Sequence, residues 1–128
     1  MIIDTSQDNL VKICDKIGTA LAMEIDHSNP AEILGKLNEL TNLLPTSSHA
    51  VALSEMIYAG KLSELINSTQ YAGYSATDKK MVFGGRAKTE IYYVKLADRQ
   101  NASLVHAIEA LRSMLSYIKA ELQHIPTN

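Results

Sequence analysis

The stretch Val94-Lys-Leu-Ala97-Asp-Arg-Gln-Asn101-Ala-Ser-Leu104-Val-His-Ala-Ile108-Glu-Ala-Leu111-Arg-Ser-Met-Leu115-Ser-Tyr-Ile118-Lys-Ala-Glu-Leu122 decides the fold class. Its numbered positions recur at alternating spacings of three and four, a heptad seam that is unbroken over four repeats. That period belongs to a helix with one buried face, and chance rarely sustains it over such a length. Val105, Ala107 and Met114 widen the stripe beyond a two-stranded seam, so the helix should be covered on more than one side, as in a bundle. Asn101 is the seam's polar member, and its amide must find a polar partner, either in a second copy or within its own chain.

Upstream, the chain reads as further helices with punctuation. A first helix opens at Thr5 or Ser6, sets Leu10, Ile13, Cys14, Ile17 and Leu21 on one face, and fades near Asp26. Asn29-Pro30-Ala31-Glu32 is a helix start, with a capping residue, a proline at the first helical position and a glutamate three residues after the cap. Its stripe of Ile33, Leu37, Leu40 and Leu44, widened by Leu34 and Leu43, is expected to stop at Pro45. A third helix is expected after Thr46-Ser47-Ser48, running to about Asn67 with Ala50, Leu53, Ile57, Leu62, Leu65 and Ile66 inward. Residues 67–74 read as a loop, and Ser75 with Asp78 as a new start. Gly84-Gly85 should interrupt the helix that begins there with a bend or short loop. The expected architecture is all-α: one domain over residues 1–128, a bundle of four to five helices with a long C-terminal helix carrying the seam.

Composition narrows the class. The 128 residues are 46% hydrophobic and 20% charged, as in ordinary globular chains. One cysteine allows no internal disulfide, no apolar run approaches a membrane span, and Met-Ile-Ile-Asp lacks a basic leader region, so a cytoplasmic location is expected. The net charge of −2 conceals segregation: residues 1–78 sum to −6 and residues 79–128 to +4. Halves of opposite sign attract, within a chain or between copies, and a pI near 6.0 is low for a dedicated nucleic-acid binder. A homo-oligomer is therefore expected through residues 91–122, gathering Val94, Asn101, Leu104, Ile108, Leu111, Leu115 and Ile118 across a symmetric contact.

The densest polar constellation is Lys79-Lys80-Met81-Val82-Phe83-Gly84-Gly85-Arg86-Ala87-Lys88, bracketed by Tyr71, Tyr74, Tyr92 and Tyr93. Four bases about two glycines near a helix start are what a phosphate seeks, and tyrosines beside cations can stack the bases of a single strand. The segment matches neither the Walker nor the dinucleotide pattern, and tyrosine also serves protein interfaces. The candidate contact residues are Tyr71, Tyr74, Lys79, Lys80, Phe83, Gly84, Gly85, Arg86 and Lys88. A protein partner is the first expectation, with single-stranded nucleic acid or a nucleotide as the alternative and no membrane.

No catalytic arrangement emerges. Cys14 lies on an apolar stripe, the serines lack a nucleophile turn, and no paired carboxylates have motif spacing. Glu121 and His124 match half of a di-iron motif whose other half is missing, so no metal and no cofactor are expected. The segment from Tyr93 to Glu121 resembles the C-terminal helix of small all-helical proteins encoded by phages and prophages. That resemblance implies a virion accessory protein, an inhibitor of host defence or a recombination mediator, located in the host cytoplasm or the virion, and it carries no catalytic residues.

Overall fold

A computed structural model describes residues 4–124 and contains four α-helices and one short 3-10 turn. Helix α1 spans Gln7–Ala22, α2 Pro30–Ile66, α3 Ala76–Arg86 and α4 Lys88–Gln123, with the 3-10 turn at Thr69–Tyr71. The starts are those their capping residues dictate. The Ser6 hydroxyl accepts from the Asn9 N–H at 3.2 Å, and the Ser75 hydroxyl from the Asp78 N–H at 3.1 Å. Asn29 Oδ1 accepts from the Ala31 and Glu32 N–H groups at 3.0 and 3.4 Å, while Pro30 occupies the first turn, where no N–H is missed.

Two expected breaks are absent. Pro45 does not end α2, which runs through it to Ile66, so the separate third helix expected after Thr46-Ser47-Ser48 is the second half of α2. The reason lies in the stripe: Ile33, Lys36, Leu40, Leu43, Ser47, Ala50, Leu53 and Leu65 are all buried on one side of α2. Burying both halves along α4 outweighs the one hydrogen bond that a proline removes. Gly84 and Gly85 likewise lie inside α3, and the interruption falls at Ala87. Ala87 adopts φ −102°, ψ 16°; its N–H donates to the Phe83 carbonyl and its own carbonyl accepts from the Ile91 N–H, each at 2.9 Å. It thus closes α3 and opens α4, wholly buried against Leu65 and Tyr71. Helix α1 also stops at Ala22, before Asp26, whose carboxylate accepts from the Ser28 N–H and hydroxyl in the turn leading to α2.

The chain forms an antiparallel α2–α4 pair with α1 laid against it. At about 1.5 Å per residue, α2 and α4 each run roughly 55 Å while α1 runs about 24 Å, so α1 covers only part of the pair. Where it lies, Ile17, Ala20, Ile33, Leu40, Leu43, Leu104, Ile108 and Leu111 make the main core. Leu10, Cys14, Ala50, Leu53 and Ala97 continue it. At the end that α1 does not reach, Leu65, Tyr71 and Ala87 form a third cluster with Tyr58, Val82, Phe83 and Ile91 around it.

The seam of α4 therefore faces the chain's own helices. Leu104, Ile108 and Leu111 are buried by α1 and α2, Val94, Leu115 and Ile118 are half-buried, and Leu122 at the end of the seam is 63% exposed, so the middle of the stripe is covered within the chain and its last turn is not. Asn101 finds its polar partner at home: its Oδ1 accepts from the Ser47 hydroxyl of α2 at 3.0 Å. Other expected inward residues turn out. Ile66 is 67% exposed and Leu34 50%, because each lies off the line that α2 presents to its neighbours. Among the described residues, no helix is long and apolar enough to cross a membrane.

Candidate functional site

The expected contact segment forms one end of the bundle. Tyr71, on the 3-10 turn, is its centre: the ring meets those of Tyr74 and Phe83 edge-to-face, with centroids 5.5 and 5.4 Å away and interplanar angles of 86° and 80°. That geometry sets the positive ring edge against the negative face of its neighbour. Tyr71 is only 5% exposed, so it supports the segment from beneath and offers no free face on which a base could stack. Tyr74 is open to solvent, and Tyr92 and Tyr93 pair edge-to-face with each other on the first turns of α4.

Helix α3 is amphipathic in an unusual way. Lys79, Val82 and Phe83 are half-buried toward Tyr71, while Lys80, Met81, Gly84 and Gly85 are exposed. A Cβ built on Gly84 or Gly85 would meet nothing within 4 Å, so these glycines stand on an outer helix face. Their N–H groups point back into the preceding turn, as at any interior helix position, and do not form the anion-cradling loop expected from the sequence.

Two shallow grooves flank Tyr71 and share Ser68 with it. One, of about 310 Å³, runs past Lys61, Glu64, Gln70 and Arg86. The other, of about 360 Å³, runs past Ile66, Thr69, Lys79 and Phe83. Among the described residues, Lys79, Lys80, Arg86 and Lys88 have no carboxylate within 4.0 Å; Lys36 pairs with Glu39 at 3.5 Å, and the His106 ring lies 3.9 Å from the Glu109 carboxylate. The structure thus gathers Tyr71, Lys79, Phe83 and Arg86 around one pair of grooves, sets Tyr74 against the Tyr71 ring, and leaves Lys80, Gly84 and Gly85 on the outer face of α3. Two apolar members of this end, Ile66 and Met81, were not expected: both are more than 60% exposed, and nothing in a one-dimensional stripe separates them from core residues.

Among the described residues, no group of three or more His, Cys, Asp or Glu side chains comes together as a metal ion would need. Burial pushes the Cys14 thiol above its ordinary value, with the Asp15 charge adding to the rise, which leaves the sulfur protonated and unreactive. No protein-family model, no curated protein and no solved structure matches the chain at a significant level.

Proposed function

We propose that this chain is a non-enzymatic binding and assembly protein that presents its 71–88 end to a protein partner bearing acidic and apolar groups. The observation carrying the reading is four unpaired cations, Lys79, Lys80, Arg86 and Lys88, set beside the exposed Ile66, Tyr74 and Met81. An apolar centre with a charged rim is how protein interfaces divide labour, the rim steering encounter and the centre holding the contact. The acidic first part of the chain supports a second copy as one such partner, by the same charge complementarity. An accessory role in a phage or its host belongs to this proposal, supported by the style of the C-terminal helix.

The four cations also favour a second reading, a phosphate-bearing ligand such as single-stranded nucleic acid. The buried ring of Tyr71 and the helical Gly84-Gly85 count against it. The deciding experiment is a titration of labelled single-stranded oligonucleotide at about 50 and about 200 mM salt, the range in which phosphate contacts reveal themselves. Binding that falls steeply with salt and weakens in Lys80→Ala and Arg86→Ala establishes the second reading. Absence of binding at low salt leaves the protein-partner reading, for which Tyr74→Ala and Met81→Ala should cost more than the charge removals. Sedimentation in the same two buffers reads self-association: a monomer of 14.1 kDa in both removes the second copy as partner.

A further inference from the structure

At the opposite end of the α2–α4 pair, a groove of about 240 Å³ opens where α1 gives way to the turn before α2. Its apolar walls include Leu21, Ile25, Leu40, Ala107, Leu111 and Met114, and its ionisable members are the buried Lys36 and the exposed Glu24 and His27. Lys36 stands on the same face of α2 as Ile33 and Leu40, which are wholly buried, and is itself only 7% exposed. A lysine at an apolar surface ordinarily buries its stem and leaves its ammonium in water. Here the Nζ itself is hidden and has no hydrogen-bond partner. The nearest carboxylate, Glu39 one turn on, lies 3.5 Å away without hydrogen-bond geometry, is half exposed, and lines a different groove.

The ion pair with the half-exposed Glu39 leaves the donors of this buried cation without a hydrogen bond, which is costly unless a further acceptor is supplied, and a methionine would fill the position without that cost. We infer that the groove is a binding site for a small aliphatic monocarboxylate, whose carboxylate pairs with Lys36 and whose chain lies along Leu40, Leu111 and Met114. Lys36 is the buried charge of the groove and matches a single negative charge; a phosphate would need further buried donors, whereas the other ionisable residues at the groove, Glu24 and His27, are both exposed to solvent. The volume lies below the range of about 300–1,000 Å³ that holds drug-sized ligands, which selects a short chain. This site is independent of the 71–88 end, from which Lys36 is separated along α2 by about 44 Å to Leu65.

The probe is sodium octanoate, compared with 1-octanol and octylammonium, read by methyl NMR of Leu40, Leu111 and Met114 on the full chain. Octanoate is expected to shift these methyl signals saturably and to bind at least about tenfold tighter than either control, the factor that one modest charge-assisted contact supplies. Lys36→Met should abolish the preference for octanoate over octanol. Ala110→Phe, which crowds the groove from α4 and leaves Lys36 in place, should weaken octanoate by a similar factor. Equal binding of octanol and octanoate, shifts confined to other methyl groups, or octanoate binding unchanged in either variant overturns the inference. Should Lys36→Met fail to fold, the wild-type comparison of the three probes decides alone.

Discussion

Pro45→Ala should raise the stability of this protein, although proline-to-alanine changes rarely invite that expectation. Pro45 lies inside α2 with an exposed ring, so replacing it removes little packing. A proline in a helix interior costs about 3 kcal/mol relative to alanine, through the lost bond to the carbonyl four residues back and the clash of its ring with that carbonyl, here Thr41's. Against this stands the freedom that alanine restores to the unfolded chain, about 0.4–1 kcal/mol, and the local adjustment the helix has already made. The net gain is about 1–2 kcal/mol. With an unfolding entropy near 2.1 cal/mol/K per residue, 128 residues give about 0.27 kcal/mol/K, so the melting midpoint should rise by about 4–7 °C. Thermal unfolding followed by far-UV circular dichroism measures the rise, and urea titration should move its midpoint without changing the slope. A midpoint that stays put or falls would show that Pro45 costs this helix nothing, and remote burial outweighing a local penalty would no longer explain why α2 runs through it.

Three further outcomes are expected. Asn101→Ala should destabilise by about 1–3 kcal/mol, because the buried Ser47 hydroxyl loses its acceptor; in urea unfolding, Ser47→Ala with Asn101→Ala should cost measurably less than the two singles added together. Gly84→Ala and Gly85→Ala should each add about 0.5–1 kcal/mol to the melting free energy, since both stand in open space inside α3; a loss would restore the bend expected there. Cys14 should resist a thiol reagent until the chain unfolds. Because burial raises its pKa and that of Tyr93, the unfolded chain ionises first as pH climbs past the ordinary thiol range, so stability should fall across roughly pH 8–10, and less steeply in Cys14→Ala.

What was legible in the sequence was what local chemistry decides. Ser6, Asn29 and Ser75 start helices because a side-chain oxygen within three residues of an orphan N–H needs no tertiary context, and the period of α4 shows in its spacing for the same reason. Pro45 and Gly84-Gly85 misled because their penalties are local while the compensation is remote. The stripe through Lys36, Leu40, Leu43, Ser47 and Ala50 passes straight across the proline, and only the partner helix makes that continuity worth keeping. The break at Ala87 carried no signal, since alanine is the best helix former and its conformation follows from the fit between Leu65 and Tyr71. At the candidate site, the charges were readable and the burial of Tyr71 was not, because a tyrosine in a polar loop has no period from which its face can be inferred. Lys36 was hidden more completely. In the sequence it is one solvated base among four in the acidic part of the chain, and only the placement of α4 and the Met23–His27 turn makes it a buried cation.

The oligomer expectation shows how one observation changes the weight of another. A heptad stripe argues for a second copy only where its cover is unknown, and here α1 and α2 cover Leu104, Ile108 and Leu111 while Leu122 stays exposed, so the argument from the stripe narrows to its last turn. Two polar contacts hold this arrangement at mid-bundle: Ser47 with Asn101 ties α2 to α4, and Gln100 Nε2 donates to the Cys14 carbonyl of α1 at 2.9 Å. Gly18 gives the second contact room: a Cβ there would lie 3.2 Å from that same nitrogen, which would have to give by a few tenths of an ångström. A helix shifted by one turn would leave each of these groups facing hydrocarbon, so the pair fixes the register of three helices in a way that leucines alone do not. The two proposed contacts lie away from these ties: unpaired cations and exposed apolar side chains at one end, and a buried lysine beside a groove at the other. Binding at either end then reads out on its own residues, which is why the oligonucleotide titration and the octanoate titration can fail independently.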